Sequence, residues 1–285
     1  MLIKEYRLVL PFTLEEFQRG QLWSVAEASK NETGGGNGVV IVKQHEFRSK
    51  SIRPGHTIEG VYTYKIYYLA QKVPYVFRKL FPETAFILHE ESWNAFPYTK
   101  TVLTNPDYMK GNFKIVVETI HCEDRGEQSN ALNLPKDVLK KREVVFIDIA
   151  DDSNLKKGDF NDENNIHQFT SEKTGRGPLN EGWARKHKPV ITAYKCVSVN
   201  FKWFGLQNRV EKAIHKTYPR LFAKFHRECF CWIDQWYALS MEEIRSIEEE
   251  TQAKLKQAID QGECKGMAEE GSDNKKSSSS DEEEK

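Results

Sequence analysis

The sequence predicts an α+β protein of helix-grip type: a curved antiparallel sheet wrapped around one long C-terminal helix, enclosing a cavity. Three observations predict it. A strand pattern at residues 2–10 and seven more between 38 and 203 carry β-branched and aromatic residues between Gly, Pro and Asn breaks. From Leu206 to Trp236 the apolar period then becomes helical, through Val210, Ile214, Tyr218, Leu221, Phe225, Cys229 and Trp232, at spacings of three and four. No apolar run approaches the ~18 residues of a membrane span. A sheet curving around a helix commonly leaves an internal cavity.

Each element has a local cause. Residues 2–10 alternate as a strand. Thr13 with Glu16 forms a capping box, and Phe17, Leu22, Val25 and Ala26 continue a helix to about residue 31, which "TGGGNG" (33–38) ends. Strands are expected at 38–47, 58–69, 84–95, 98–104, 113–122, 143–149 and 190–203, with a short helix at 73–81. The polar, turn-rich stretches 123–142 and 150–189 read as excursions that cover something. The long helix should run about 30 residues from 206 and kink at Pro219, which cannot donate to the carbonyl of His215. Ser240 with Glu243 caps a last helix, to about residue 262.

The 285 residues are 39% hydrophobic and 12% aromatic, sufficient for a sizeable core. Net charge is zero but unevenly spread. Residues 268–285, "AEEGSDNKKSSSSDEEEK", hold seven acids and three bases, so the remainder carries +4. A weakly basic body suits an anionic membrane surface better than nucleic acid. The tail reads as a disordered acidic segment after a single folded domain at 1–267. The opening "MLIKEYRLVLPF" is too short and too charged for a secretory signal, and five cysteines without repeated spacing read as reduced thiols of a cytoplasmic protein.

Motifs for catalysis fail on context. "TGGGNG" follows a helix where a dinucleotide fingerprint needs a strand, and "TGRGP" (174–178) lacks the Lys-Ser/Thr of a phosphate loop. His226 and Cys229 lie one helical turn apart, but without a second ligand pair they read as core, so no metal is expected. In "VYTYKIYYL" (61–69), Thr63, Lys65 and Tyr67 share one face and Tyr62, Tyr64 and Tyr68 the other. Both faces are apolar enough to be covered, so Lys65 needs either an anion or a route to the strand's rim. Trp203 and Phe204 adjoin at the strand-to-helix turn. At least one should be exposed, unless Gly205 turns the chain sharply enough to tuck both inside.

The stretches "KEYRLVLPFTLEEF", "YTYKIYYL", "SWNAFPYT", "SEKTGRGPL", "FKWFGLQNRVE" and "LFAKFHRECFCW" carry a resemblance. Over residues 1–265 the chain resembles the class I phosphatidylinositol transfer proteins. The resemblance implies a START-like helix-grip fold and a monomeric, non-enzymatic carrier that encloses one phosphatidylinositol or phosphatidylcholine. It would work from the cytoplasm, visit membrane surfaces transiently and need no cofactor beyond the bound phospholipid. Enclosure has a physical reason: two acyl chains hold about 30 methylenes at roughly 0.8 kcal/mol each, so exposing them costs more than about 20 kcal/mol.

The resemblance further implies inositol contacts at Thr63, Lys65, Asn94 and Glu248, with Glu248 as the anion for Lys65. It implies phosphate contacts at Gln21, Thr101, Thr119 and Lys195, membrane docking by Trp203 and Phe204, and a phosphorylatable serine at Ser171. Thr99, where many relatives have cysteine, and Pro219 depart from the pattern. The alternatives are a carrier preferring another phospholipid, such as phosphatidic acid, and an enzyme on the same fold.

Overall fold

The computed structural model describes residues 1–33, 38–70 and 75–258. The acidic tail, the middle of "TGGGNG", the start of the 73–81 helix and the last turn expected at 259–262 lie outside the described residues.

Eight strands form one sheet: β1 (Leu2–Leu10), β2 (Gly38–Ser49), β3 (Ile58–Tyr68), β4 (Ile87–Ala95), β5 (Tyr98–Asn105), β6 (Lys110–Cys122), β7 (Glu143–Ile147) and β8 (Ile191–Phe201). Their order is β2-β3-β4-β5-β6-β8-β1-β7. Six of the seven pairings are antiparallel, but β7 runs parallel to β1, so the sheet is mixed where a wholly antiparallel one was expected. The reason is the 123–142 excursion. It carries the chain past β8 and β1 to the far edge, and a crossover of that length permits parallel pairing. Residues 84–86, expected as the start of a strand, instead belong to a 3-10 turn at Glu83–Phe86.

The capping box closes as expected: the Glu16 amide donates to Thr13 Oγ1 at 3.1 Å and the Thr13 amide to Glu16 Oε2 at 2.8 Å. It begins α1 (Leu14–Glu32). Short helices follow as α2 (Tyr75–Leu80), α3 (Lys136–Lys141) and α4 (Trp183–Lys186). The long helix is α5 (Gln207–Cys231), of 25 residues, and passes through Pro219 without interruption. The apolar stripe promised continuity to Trp236, but the helix stops at Trp232 and resumes as α6 (Ile233–Trp236). Trp236 explains the break: its indole N–H donates to the Cys229 carbonyl at 3.0 Å, a group that a continuing helix would have used itself. Ser240 and Glu243 cap each other at the start of α7 (Met241–Ala258).

α5 lies against β1 and β8, and α1 packs on α5 and α7. Between them Tyr6, Leu8, Leu10, Phe12, Phe17, Phe230 and Trp236 are buried in one core. Gly20 lets α1 approach: a Cβ there would sit 2.7 Å from the Trp236 ring. The 150–189 excursion is tied down by ion pairs, Asp159 to Arg220 at 2.7 Å and Asp152 to Arg227 at 2.8 Å.

Candidate functional site

Sheet register assembles the candidate residues. Asn94 on β4 pairs with Thr99 on β5, Thr99 with Thr119 on β6, and Thr119 with Lys195 on β8. One rung along, Thr63, Ser92 and Thr101 form a second row, and Lys65 opposite Glu90 starts a third. Paired residues share a face, so these side chains rise from the sheet on the same side. Gly60 makes the β3–β4 approach possible, since a Cβ on it would lie 2.0 Å from the Asn94 carbonyl oxygen.

A cavity of about 330 Å³ lies where these rows meet α1 and α7. The sheet contributes Thr63, Lys65, Tyr67, Glu90, Ser92, Asn94, Thr99 and Thr101, α1 contributes Gln21, and α7 contributes Glu248, Thr251 and Gln252. Six of the eight headgroup candidates therefore line one cavity. Thr119, buried, and Lys195, half-buried, lie one and two pairings farther across the sheet, with Lys195 Nζ 5.1 Å from the centre of the Phe222 ring. Burial pulls Lys195 down to about 8.

Gln21 Nε2, Asn94 Oδ1 and Thr251 Oγ1 are buried and have no hydrogen-bond partner among the described residues. Native proteins rarely leave such atoms unsatisfied. A second cavity of about 390 Å³ adjoins the first, sharing Val25, Ser29 and Tyr67, and is walled chiefly by Ala28, Val39, Leu69, Leu221 and Phe225. Leu221 and Phe225 thus leave the stripe of α5 to line a pocket. A donor-and-acceptor chamber opens beside an apolar one.

The anion beside Lys65 differs from the one expected. Its Nζ lies 3.4 Å from Glu90 Oε1, while Glu248 Oε2 takes Arg245 at 3.1 Å. Tyr67 donates its hydroxyl to Glu90 Oε2 at 3.1 Å. Burial raises the Glu248 carboxyl, and Arg245 and Lys65 offset part of that rise. Glu90 was missed although its signal was present: counting back by twos from Asn94 places Ser92 and Glu90 on the same face.

A model of the family described as "Phosphatidylinositol transfer protein" matches residues 1–253. The chain belongs to that family. It is 44% identical over 273 residues to the human phosphatidylinositol transfer protein beta isoform, covering 94% of this chain and 98% of the relative. It is 42% identical over 263 residues to phosphatidylinositol transfer protein 2 of Dictyostelium discoideum, covering 92% and 98%. Over 267 residues it is also 39% identical to the human membrane-associated phosphatidylinositol transfer protein 2, covering 92% of this chain and 19% of that longer protein.

The other candidate residues of this family member lie apart from the cavity. Beyond β8, Gly205 at φ 75° turns the chain, and Trp203, Phe204 and Leu206 are exposed, Phe204 completely. Exposed Lys202, Arg209, Lys212 and Lys216 flank them, and the one acid among residues 202–217, Glu211, is buried. Ser171 is buried: its hydroxyl donates to Asp234 Oδ1, and the amides of Glu172 and Lys173 donate to the same carboxylate. "TGRGP" holds structure together, with Arg176 gripping both oxygens of Glu16 at 2.8 Å. His226 Nδ1 donates to the Phe222 carbonyl at 2.7 Å, and Cys229 is core. Among the described residues no helix is long and apolar enough to cross a membrane.

Proposed function

We propose that this chain is a carrier, not a catalyst, that encloses one phosphatidylinositol or phosphatidylcholine and exchanges it between membranes. The observation that carries this reading is the pair of adjoining chambers, one with unpaired buried polar atoms at Gln21, Asn94 and Thr251 and one apolar. An amphiphile matches both halves, and relatives over nearly their whole length are named as phosphatidylinositol transfer proteins.

In this reading the inositol ring meets Thr63, Lys65, Asn94 and Glu248, and the phosphate is held by Gln21, Thr101, Thr119 and Lys195. The acyl chains extend toward Leu221 and Phe225 in the START-like, helix-grip interior. Trp203 and Phe204 dock transiently on the bilayer, where aromatic rings favour the interface and the flanking cations favour anionic lipid. Residues 1–267 act as one lipid-binding domain and 268–285 as an appended acidic tail, and Ser171 becomes phosphorylatable only when its segment opens.

Native mass spectrometry of the purified protein, followed by lipid extraction, tests the reading. One intact phosphatidylinositol or phosphatidylcholine per chain is expected. A protein free of phospholipid after expression and after incubation with mixed vesicles would overturn it.

A further inference from the structure

Around Trp203 and Phe204 the surface is strongly cationic. Lys202, Arg209, Lys212 and Lys216 are exposed, and the acid among them, Glu211, is buried and already engaged. Its Oε1 takes the Phe201 amide at 3.0 Å and the Gln207 side chain at 3.1 Å. The Lys202 amide donates to the Asn112 carbonyl at 2.7 Å, so β6, with exposed Lys110 and Lys114, adjoins the turn. Among the described residues none of these six cations has an ion-pair partner.

The same chain carries the complement. Residues 277–284, "SSSSDEEE", hold four consecutive acids and no base. Residues 259–280 can span up to about 75 Å when extended, against a diameter of about 45 Å for a body of this size, so the acidic run reaches any part of the surface. Tethering gives it an effective concentration that a free anion in solution rarely attains. The other cationic stretch, from Lys173 to Lys188, is the poorer match, because exposed Glu172 and Glu181 stand beside and within it.

We propose that the acids at 281–284 dock on the cationic face of Lys202, Arg209, Lys212 and Lys216, and so compete with an anionic bilayer for it. Carboxylates and lipid phosphates offer this face the same chemistry, closely spaced oxyanions, so one occupant excludes the other. The contact is ionic and exposed, which makes each pair weak and sensitive to salt. A bilayer rich in anionic lipid displaces the tail, because it presents many charges and also takes the two aromatic rings. A bilayer poor in anionic lipid does not. The tail thereby sets the surface charge that a membrane must carry before the protein docks, an effect that rests on the proposed membrane role of Trp203 and Phe204.

Two measurements on the full chain test this. Zero-length carbodiimide cross-linking joins a carboxylate to a touching lysine amine with loss of water, and peptide mapping then reads the pairs. Cross-links from 281–284 to Lys202, Lys212 or Lys216 are expected at low salt and should vanish near 0.5 M salt, where the screening length is only about 4 Å. Sedimentation with vesicles of equal parts phosphatidylcholine and phosphatidylserine then compares the full chain with Asp281→Asn/Glu282→Gln/Glu283→Gln/Glu284→Gln, checked by thermal unfolding. The variant should bind about fivefold more tightly at low salt and no differently at high salt. Cross-links that are absent, or that fall only on Lys173, Lys186 or Lys188, overturn the proposal. Tighter binding by the variant without cross-links to the face means that the tail repels the membrane from a distance, and overturns it too. Cross-links with unchanged vesicle binding overturn the competition. If neither protein binds these vesicles, the docking role of Trp203 and Phe204 is what fails, and the cross-links still decide whether the tail occupies the face.

Discussion

The hydroxyl of Tyr6 donates to the carbonyl oxygen of His215 at 2.9 Å, and that carbonyl is the one Pro219 leaves without its helical partner. The first strand therefore supplies a hydrogen bond that α5 cannot make for itself. The same hydroxyl lies 2.9 Å from His215 Nδ1, so Tyr6 joins strand and helix at two points.

Tyr6→Phe should destabilise the fold by about 1–3 kcal/mol, the cost of a buried carbonyl left unpaired. In a Pro219→Ala background residue 219 regains its N–H, so the same Tyr6 substitution should cost less. Chemical denaturation of the four proteins in a double-mutant cycle checks this. Equal costs in both backgrounds would show that the hydroxyl acts through His215 Nδ1 and not through the carbonyl that Pro219 leaves open.

Glu248→Ala should reduce phosphatidylinositol transfer about tenfold, by removing an acceptor from the polyol site. Phosphatidylcholine transfer should be nearly unaffected. Glu248 also pairs with Arg245, so a melting curve must accompany the assay. Equal loss of both lipids in a folded variant would contradict the assignment of Glu248 to the inositol.

Raising the pH should weaken lipid retention through Lys195. Burial pulls this lysine from an ordinary 10.5 to about 8, so below pH 8 the site holds the ammonium a phosphate needs. Above pH 8 binding must also take up a proton, and affinity falls as pH rises. Folding responds the other way: between about pH 8 and 10.5 the unfolded chain binds more protons here, so this group's penalty on stability is relieved as pH rises. His121 and His226 are held low by burial, with Lys195 adding to the effect, and stay neutral throughout. Vesicle-competition binding from pH 7 to 10 should show the loss, and Lys195→Met should bind weakly at every pH. A wild-type affinity flat across that range would remove Lys195 from the phosphate site.

Trp203→Ala/Phe204→Ala should leave lipid content and melting temperature near wild type, because both rings are already exposed. Vesicle association and transfer should fall sharply, since two aromatics at an interface supply a few kcal/mol. Normal transfer by this variant would end the docking role.

Contacts within one helical turn or along one strand follow from neighbouring residues alone. Thr13 with Glu16 and Ser240 with Glu243 close their caps within four residues, and alternation in "VYTYKIYYL" puts Thr63, Lys65 and Tyr67 on the cavity wall. That at least one of Trp203 and Phe204 should be exposed was legible for the same reason, since adjacent residues at a strand's end face opposite ways, and both are exposed. The tertiary structure alone decided the rest. β7 runs parallel to β1 because an excursion, whose path no local pattern records, delivers it to that edge. α5 ends at Trp232 because Trp236 reaches back to Cys229, and Lys65 meets Glu90 because strand pairing brings it nearer than α7 brings Glu248. Alternation and capping are set by backbone geometry over a few bonds. Which strand pairs with which, and which of two carboxylates reaches a lysine, depends on register and packing summed over residues far apart in the chain.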